Sequence, residues 1–163
     1  MSQLDRFRDA QNSSSSGFEA ALGEIRAGGK RGHWIWYVFP QLRGLGSSGS
    51  SSMFGIDGER EAVEYLRDPE LRSRLITIAT AVMDQLRPEG TRSLRALMGS
   101  DLDARKLVSS MTLFGHVARK LHEADGLDAY NSMATLADTV LAEAARQGYP
   151  PCAYTLGRLR PAT

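Results

Sequence analysis

The segment from residue 30 to 41 concentrates the residue types best suited to binding chemistry. Both tryptophans of the chain, Trp34 and Trp36, lie in it. Aromatic faces can stack against a flat ligand, but their large apolar surface can equally fill a core. Four polar side chains flank them and could supply hydrogen-bond donors: Lys30, Arg31, His33 and Gln41. His33 is the candidate catalytic acid–base residue, because histidine exchanges a proton readily near neutral pH.

A second segment, residues 44 to 52, contains only glycine, serine and one leucine. Backbone N–H groups and hydroxyls in such a run can cradle a phosphate, and Ser47 is the candidate ligand-binding residue. The segment matches neither the P-loop nor the dinucleotide-binding fingerprint. A flexible surface loop is the alternative.

The third segment, residues 101 to 114, is predicted to be helical. Asp103, Lys106 and Ser110 would share one face at i, i+3 and i+7, and Ser109 adds a hydroxyl in mid-helix. We interpret Lys106, Ser109 and Ser110 as a polar stripe that holds an anionic ligand. A surface Asp–Lys pair beside hydroxyls bonded to their own helix is the alternative.

Other groupings of reactive residues are weaker. The histidines His33, His116 and His122 have no metal-ligand spacing with one another or with Cys152, so we predict neither a metal nor a cofactor. Thr112 and His116 lie four residues apart, but no third residue completes a hydrolase triad. Cys152 is interpreted as a small residue of the tail rather than a nucleophile.

Composition bounds the class of protein. The 163 residues predict one domain, 1–163, and 42% hydrophobic with 24% charged residues is typical of a globular chain. A net charge of +1 lacks the basic excess of nonspecific nucleic-acid binding, so no nucleic-acid partner is predicted. No signal peptide is predicted, no apolar run reaches the ~20 residues that span a bilayer, and the single cysteine fits a reducing compartment. We therefore expect a cytoplasmic protein without a membrane partner, and leave its oligomeric state open.

Apolar residues recur with a helical period in most of the chain. The pattern predicts an all-α fold of about six or seven helices, with loops over the serine tracts. Residues 33–39 favour a strand by composition, but no other stretch could pair with it. We expect a short buried helix ending before Pro40, with an extended segment as the alternative.

Several motifs together resemble a known family. They are Asp5-Arg6-Phe7, Lys30 through Gln41, Gly44 through Ser47, Phe54-Gly55-Ile56, Glu61-Ala62, Tyr65-Leu66, Pro69, Leu71, Asp103, Lys106 and Ser109 through Phe114. Over about residues 1 to 122 the chain is similar to a bacterial family known as a domain of unknown function, some of whose members carry the label calpastatin. The resemblance implies a mostly helical domain and no established activity. An inhibitor of the calpastatin kind would be long, repetitive and flexible, unlike this chain.

The sequence therefore predicts an uncharacterised protein that binds a phosphate-bearing or nucleotide-like small molecule, with hydrolysis of that molecule left open. Its ligand-binding residues would be Lys30, Trp34, Trp36, Gln41, Ser47, Lys106, Ser109 and Ser110. The alternative is a protein-interaction module that uses the aromatic segment as an anchor patch, because tryptophan and tyrosine dominate interface hot spots.

Overall fold

The computed structural model describes residues 2–46, 48–86 and 92–159. These residues form ten α-helices and no β-strand, apart from one isolated bridge between Leu42 and Ile56. The helices are α1 (Asp5–Gln11), α2 (Phe18–Arg26), α3 (Ile35–Val38), α4 (Gly49–Phe54), α5 (Gly58–Arg67), α6 (Pro69–Leu86), α7 (Leu94–Met98), α8 (Asp101–Asp125), α9 (Asp128–Arg146) and α10 (Ala153–Arg158). The all-α prediction is confirmed.

The predicted count of six or seven helices is wrong, because several short segments are also helical, two of them without an apolar period. The serine tract was expected to be a loop, yet Ser48 caps α4 by accepting a hydrogen bond from the Ser51 backbone N–H at 3.1 Å. Helix α10 follows Pro150 and Pro151, which stop α9 from continuing but leave a new helix free to start beyond them. Ser47 lies outside the described residues.

The aromatic segment forms the short helix that was predicted for it. Helix α3 spans Ile35–Val38 and ends before Pro40. Because the segment is helical, residues two apart point in nearly opposite directions, about 200° around the axis. Trp34 is accordingly fully buried, whereas Trp36 is only partly buried.

Helix α8 is the central element of the fold. Its 25 residues pack against α3, α5, α7, α9 and α10, and it is apolar over much of its circumference, as expected for a buried helix. The Ser100 hydroxyl caps its start, and Gly126 ends it in a left-handed conformation at φ 72°. None of the helices in the described part of the chain is long and apolar enough to cross a membrane.

Candidate functional site

A cleft of about 370 Å³ lies between the first turns of α8 and the segment that joins α9 to α10. Its volume falls in the ~300–1,000 Å³ range of small-molecule sites. Polar groups come from Gln41, Arg105, Lys106, Ser109, Tyr149 and Cys152. The remaining lining is mostly apolar and includes Leu45, Val108, Pro150 and Pro151. The structure thus brings together three of the predicted site residues: Gln41, Lys106 and Ser109.

Two lysines share one carboxylate at the edge of this cleft. Lys30 Nζ lies 2.7 Å from Asp103 Oδ2, and Lys106 Nζ lies 3.4 Å from Asp103 Oδ1. The side chains of Lys30, Lys106 and Asp103 are 6%, 13% and 17% exposed, respectively. Lys30 also donates to the Gly32 carbonyl at 2.6 Å. Lys30 also lies near the carboxylate of Glu24, and Lys106 is the lysine of this cluster that lines the cleft.

The ring of Trp36 packs against the ammonium group of Lys106. The Lys106 ammonium lies 4.5 Å from the centroid of the Trp36 ring, within the range of a cation–π contact. Trp36 also lines a second cavity of about 10 Å³, which adjoins the cleft because Gln41 and Leu45 line both. Its indole N–H is buried and has no hydrogen-bond partner among the described residues.

Gln41 is a polar residue that the fold largely buries. It is only 8% exposed, and its amide makes no hydrogen bond to any residue that the structure describes. The Trp36 N–H is sealed from solvent, but the Gln41 amide atoms are not. They are accessible from the cavities that Gln41 lines. An amide held in this way is free to bond a ligand.

The opposite wall of the cleft is built by residues that sequence reasoning did not assign to the site. The Tyr149 hydroxyl donates to Asp101 Oδ1 at 2.6 Å, and Arg105 donates to Asp101 Oδ2 at 3.1 Å. The Tyr149 hydrogen bond, with that from Arg105, lowers the pKa of Asp101. Further along, the Tyr154 hydroxyl donates to the Arg43 carbonyl at 2.9 Å, which ties α10 to the loop before α4.

Cys152 is the other unassigned group in the cleft. It is partly buried, and its backbone N–H donates to Thr112 Oγ1 at 3.2 Å. Burial acts to raise the pKa of the Cys152 thiol, but hydrogen bonds from Thr155 and from the Ser109 hydroxyl outweigh burial and lower it. A hint was present in the sequence, because a cysteine just after two prolines is held on a stiff stretch of chain.

Trp34 has a different position from Trp36. It is fully buried and donates from Nε1 to Glu24 Oε1 at 3.0 Å. The same oxygen accepts the backbone N–H groups of Arg31 at 2.6 Å and Gly32 at 2.8 Å. Trp34 lines neither the cleft nor its narrow neighbour, although Lys30 lies 5.1 Å from its ring centroid. Lys30 does not line the cleft either. Its ammonium pairs with Asp103, which in turn pairs with the lining residue Lys106.

The remaining predicted residues lie apart from the cleft. His33 is exposed and is not part of the cleft lining. Ser110 is fully buried, and its hydroxyl has no hydrogen-bond partner among the described residues. The structure therefore does not place His33 and Ser110 against the cleft.

Other reactive side chains form a cluster elsewhere on α8. His116 Nε2 lies 3.0 Å from Glu59 Oε1, and Lys120 Nζ lies 3.2 Å from the same oxygen. Thr112, four residues before His116, instead bonds the Val108 carbonyl at 2.8 Å. In the described ranges, no three His, Cys, Asp or Glu side chains converge as a set of metal ligands.

Comparison with known proteins places this architecture in a family. No match is found among curated proteins. The crystal structure of the conserved hypothetical protein Rv1873 from Mycobacterium tuberculosis, at 1.38 Å, is similar with a TM-score of 0.73 and 35% identity over 98% of both chains. The family described as protein of unknown function (DUF1810) matches residues 1–141, which extends the resemblance noted in the sequence. The chain therefore belongs to the DUF1810 family.

Proposed function

We propose that this protein binds a small phosphate-bearing molecule with a flat or apolar body in the cleft between α8 and residues 149–153. The observation that carries the proposal is the Lys106 ammonium, which lines the cleft and lies between Asp103 and the face of Trp36. Lys106 is 13% exposed, and the cleft it lines is the route by which a ligand could reach it.

Charge favours an anion at this position. The charged residues in the cleft lining are Arg105 and Lys106, whereas the carboxylates that pair with them, Asp101 and Asp103, do not line it. Hydrogen bonds to ionised groups are shorter and stronger than neutral ones, and more so where water is partly excluded. A phosphate oxygen would meet the Lys106 ammonium without displacing it from Trp36.

The rest of the lining suits an uncharged body. Leu45, Val108 and the two prolines offer apolar surface, and the Gln41 amide, which bonds no described residue, could bond a polar edge of a ring. Our proposal is confined to binding, because His33 does not line the cleft.

The burial of the aromatic segment weighs against the interaction module. An anchor patch requires exposed aromatic side chains that a partner can cover. Trp34 and Phe39 are fully buried, and Tyr37 is 9% exposed. These residues pack in the core of the fold and are not available to a partner.

Isothermal titration calorimetry with three probes tests the proposal: adenosine monophosphate, adenosine and inorganic phosphate. We expect adenosine monophosphate to bind more tightly than either part. Lys106→Met should weaken its binding by at least about tenfold, since a lost charge-assisted hydrogen bond costs ~1.5–3 kcal/mol.

Lys120→Met is the matched control. Lys120 lies on the same helix, pairs with a carboxylate as Lys106 does, and is ~21 Å further along the axis at 1.5 Å per residue. It should leave binding unchanged. Equal losses in the two variants, or no binding of any probe at millimolar concentration, would contradict the proposal.

A further inference from the structure

We propose that Cys152 is a reactive thiol of this cleft, which forms a mixed disulfide with small anionic disulfides that enter it. The inference deepens the proposed function, since it rests on the same cleft and on the same lysine, Lys106. It assigns to the site a covalent reaction that binding alone does not imply.

The first support is the surroundings of the sulfur. Cys152 lines the cleft beside Ser109, whose hydroxyl lies 3.4 Å from that of the buried Thr155. Burial acts to raise the pKa of the Cys152 thiol, but the hydroxyls of Thr155 and Ser109 and the backbone N–H groups of Thr155 and Tyr154 outweigh burial and lower it. Donors of this kind stabilise a thiolate, which is the nucleophilic form of cysteine.

The second support is independent of the cysteine and indicates a ligand in the same space. Gln41 is more than nine-tenths buried, lines the cleft, and leaves its amide unbonded by any described residue. Its N–H donors and its carbonyl acceptor are available to a molecule in the cleft. A molecule that enters far enough to bond Gln41 occupies the cleft that Cys152 also lines.

Charge selects the class of reagent. Lys106 and Arg105 line the cleft with Cys152, whereas their carboxylate partners, Asp101 and Asp103, do not line it. A disulfide that carries carboxylate groups is therefore attracted, whereas a neutral disulfide is not.

The reaction is a thiol–disulfide exchange. The Cys152 thiol loses its proton to solvent, and the thiolate attacks one sulfur of the reagent RS–SR. A bond forms between Cys152 Sγ and that sulfur while the S–S bond of the reagent breaks. The second half leaves as RS⁻. Cys152 is oxidised to the disulfide level, and the departing half of the reagent is reduced to a thiolate.

The test uses the full chain with two disulfides: DTNB, which carries two carboxylates, and neutral dithiodipyridine. Cys152 is the only cysteine of the chain, so thiol release reports on it alone. Glutathione in the same buffer is the reference thiol. The measured quantity is the ratio of the DTNB rate to the dithiodipyridine rate, because access to the sulfur affects both rates.

We expect the dithiodipyridine rate to equal or exceed that of glutathione, and the rate ratio to exceed that of glutathione by about tenfold. Lys106→Met should bring the ratio back toward glutathione, and Lys120→Met should not. Arg105→Gln, at a side chain that is 61% exposed, should lower the ratio in the same direction.

Two results would overturn the inference: a dithiodipyridine rate far below that of glutathione, or a rate ratio equal to that of glutathione. The proposed function can fail separately. If adenosine monophosphate does not bind while DTNB is selected through Lys106, then the phosphate ligand is wrong and the thiol site stands.

Discussion

The ammonium of Lys106 lies 4.5 Å from the centroid of the Trp36 ring and 3.4 Å from a carboxylate oxygen of Asp103. The indole face and the carboxylate thus fix the lysine from two sides at the edge of the cleft. Because Asp103 is shared with Lys30, removing its charge would release both lysines at once.

Asp103→Asn is expected to destabilise the protein while strengthening anion binding. Two largely buried ammonium groups would lose their carboxylate, at a cost of about 1–3 kcal/mol, below the ~3–5 kcal/mol of a fully sealed pair. The same change adds one positive charge to the cleft edge, so phosphate should bind more tightly. Urea unfolding measures the first effect and calorimetry with inorganic phosphate the second.

Asp138→Asn provides the control for this prediction. Asp138 pairs with Arg119 at 2.6 Å, but both side chains are about half exposed. Such pairs contribute little, so the free energy of unfolding should change by less than about 0.5 kcal/mol. An Asp103→Asn protein that is as stable as this control would show that the shared carboxylate does not hold the lysines.

Glu24→Gln is predicted to loosen the segment that carries Lys30 and Trp34. One oxygen of Glu24 accepts three N–H donors, two from the backbone and one from Trp34. A neutral amide accepts more weakly and has a single acceptor oxygen, so stability should fall by about 1–2 kcal/mol. Urea unfolding measures the loss. Glu19→Gln is the control, because Glu19 is exposed on the same helix and its substitution should change the free energy of unfolding little. Equal stabilities of the two variants would contradict the role of Glu24.

Much of the fold could be predicted because its signals are local. The apolar period of α8, its Ser100 cap and its Gly126 stop all lie within one stretch of sequence and match the structure. The pairing of Asp103 with Lys106 is equally local, since i and i+3 are neighbours on a helix.

The rest of the site depends on contacts between distant segments. Nothing in the sequence near Lys30 indicates that its ammonium meets Asp103, 73 residues later. Trp34 and Trp36 are equivalent as residue types, and only the helical turn between them sends one to the core and the other to Lys106. The wall of Tyr149 and Cys152 was missed because irregular backbone around two prolines has no period to detect.

Acidification should destabilise the protein in part through Glu61. Burial acts to raise the pKa of Glu61, but hydrogen bonds from Arg6, at 2.6 Å, and from the Asp57 backbone N–H, with the Arg6 charge, outweigh burial and lower it. A carboxyl whose pKa is lower in the folded state stabilises the fold above its unfolded pKa, near 4.5. That contribution is lost as the pH falls from this value through the folded pKa.

Glu61→Gln should therefore reduce the dependence of the free energy of unfolding on pH in the acid range. At neutral pH the variant should be about 1–3 kcal/mol less stable, because Arg6 keeps its charge without its carboxylate partner. Below pH 4.5 the difference between the two proteins should shrink. Urea unfolding from neutral to acid pH measures this, and Glu64→Gln, about half exposed on the same helix, should follow the unmodified protein. If the difference in free energy of unfolding between Glu61→Gln and the unmodified protein stays constant with pH, then Glu61 does not contribute to the loss of stability in acid.

Gly44→Ala is expected to detach α10 from the loop before α4. Gly44 has φ 102°, and a Cβ there would overlap the Tyr154 hydroxyl. Gly148 has a similar φ of 94°, but a Cβ would meet nothing within 4 Å. Both substitutions carry the left-handed backbone strain of about 1–2 kcal/mol, so any larger loss in Gly44→Ala comes from the Tyr154 contact. Urea unfolding of the two variants gives that excess.

A double-mutant cycle identifies the source of the excess. Tyr154→Phe removes the hydrogen bond to the Arg43 carbonyl and should cost about 0.5–1.5 kcal/mol in the unmodified protein. In the Gly44→Ala background the bond is already broken, so the same change should cost almost nothing. Equal costs in both backgrounds would mean that Tyr154 keeps its bond beside Ala at position 44. The wall of the cleft would then be held by α8 rather than by the loop.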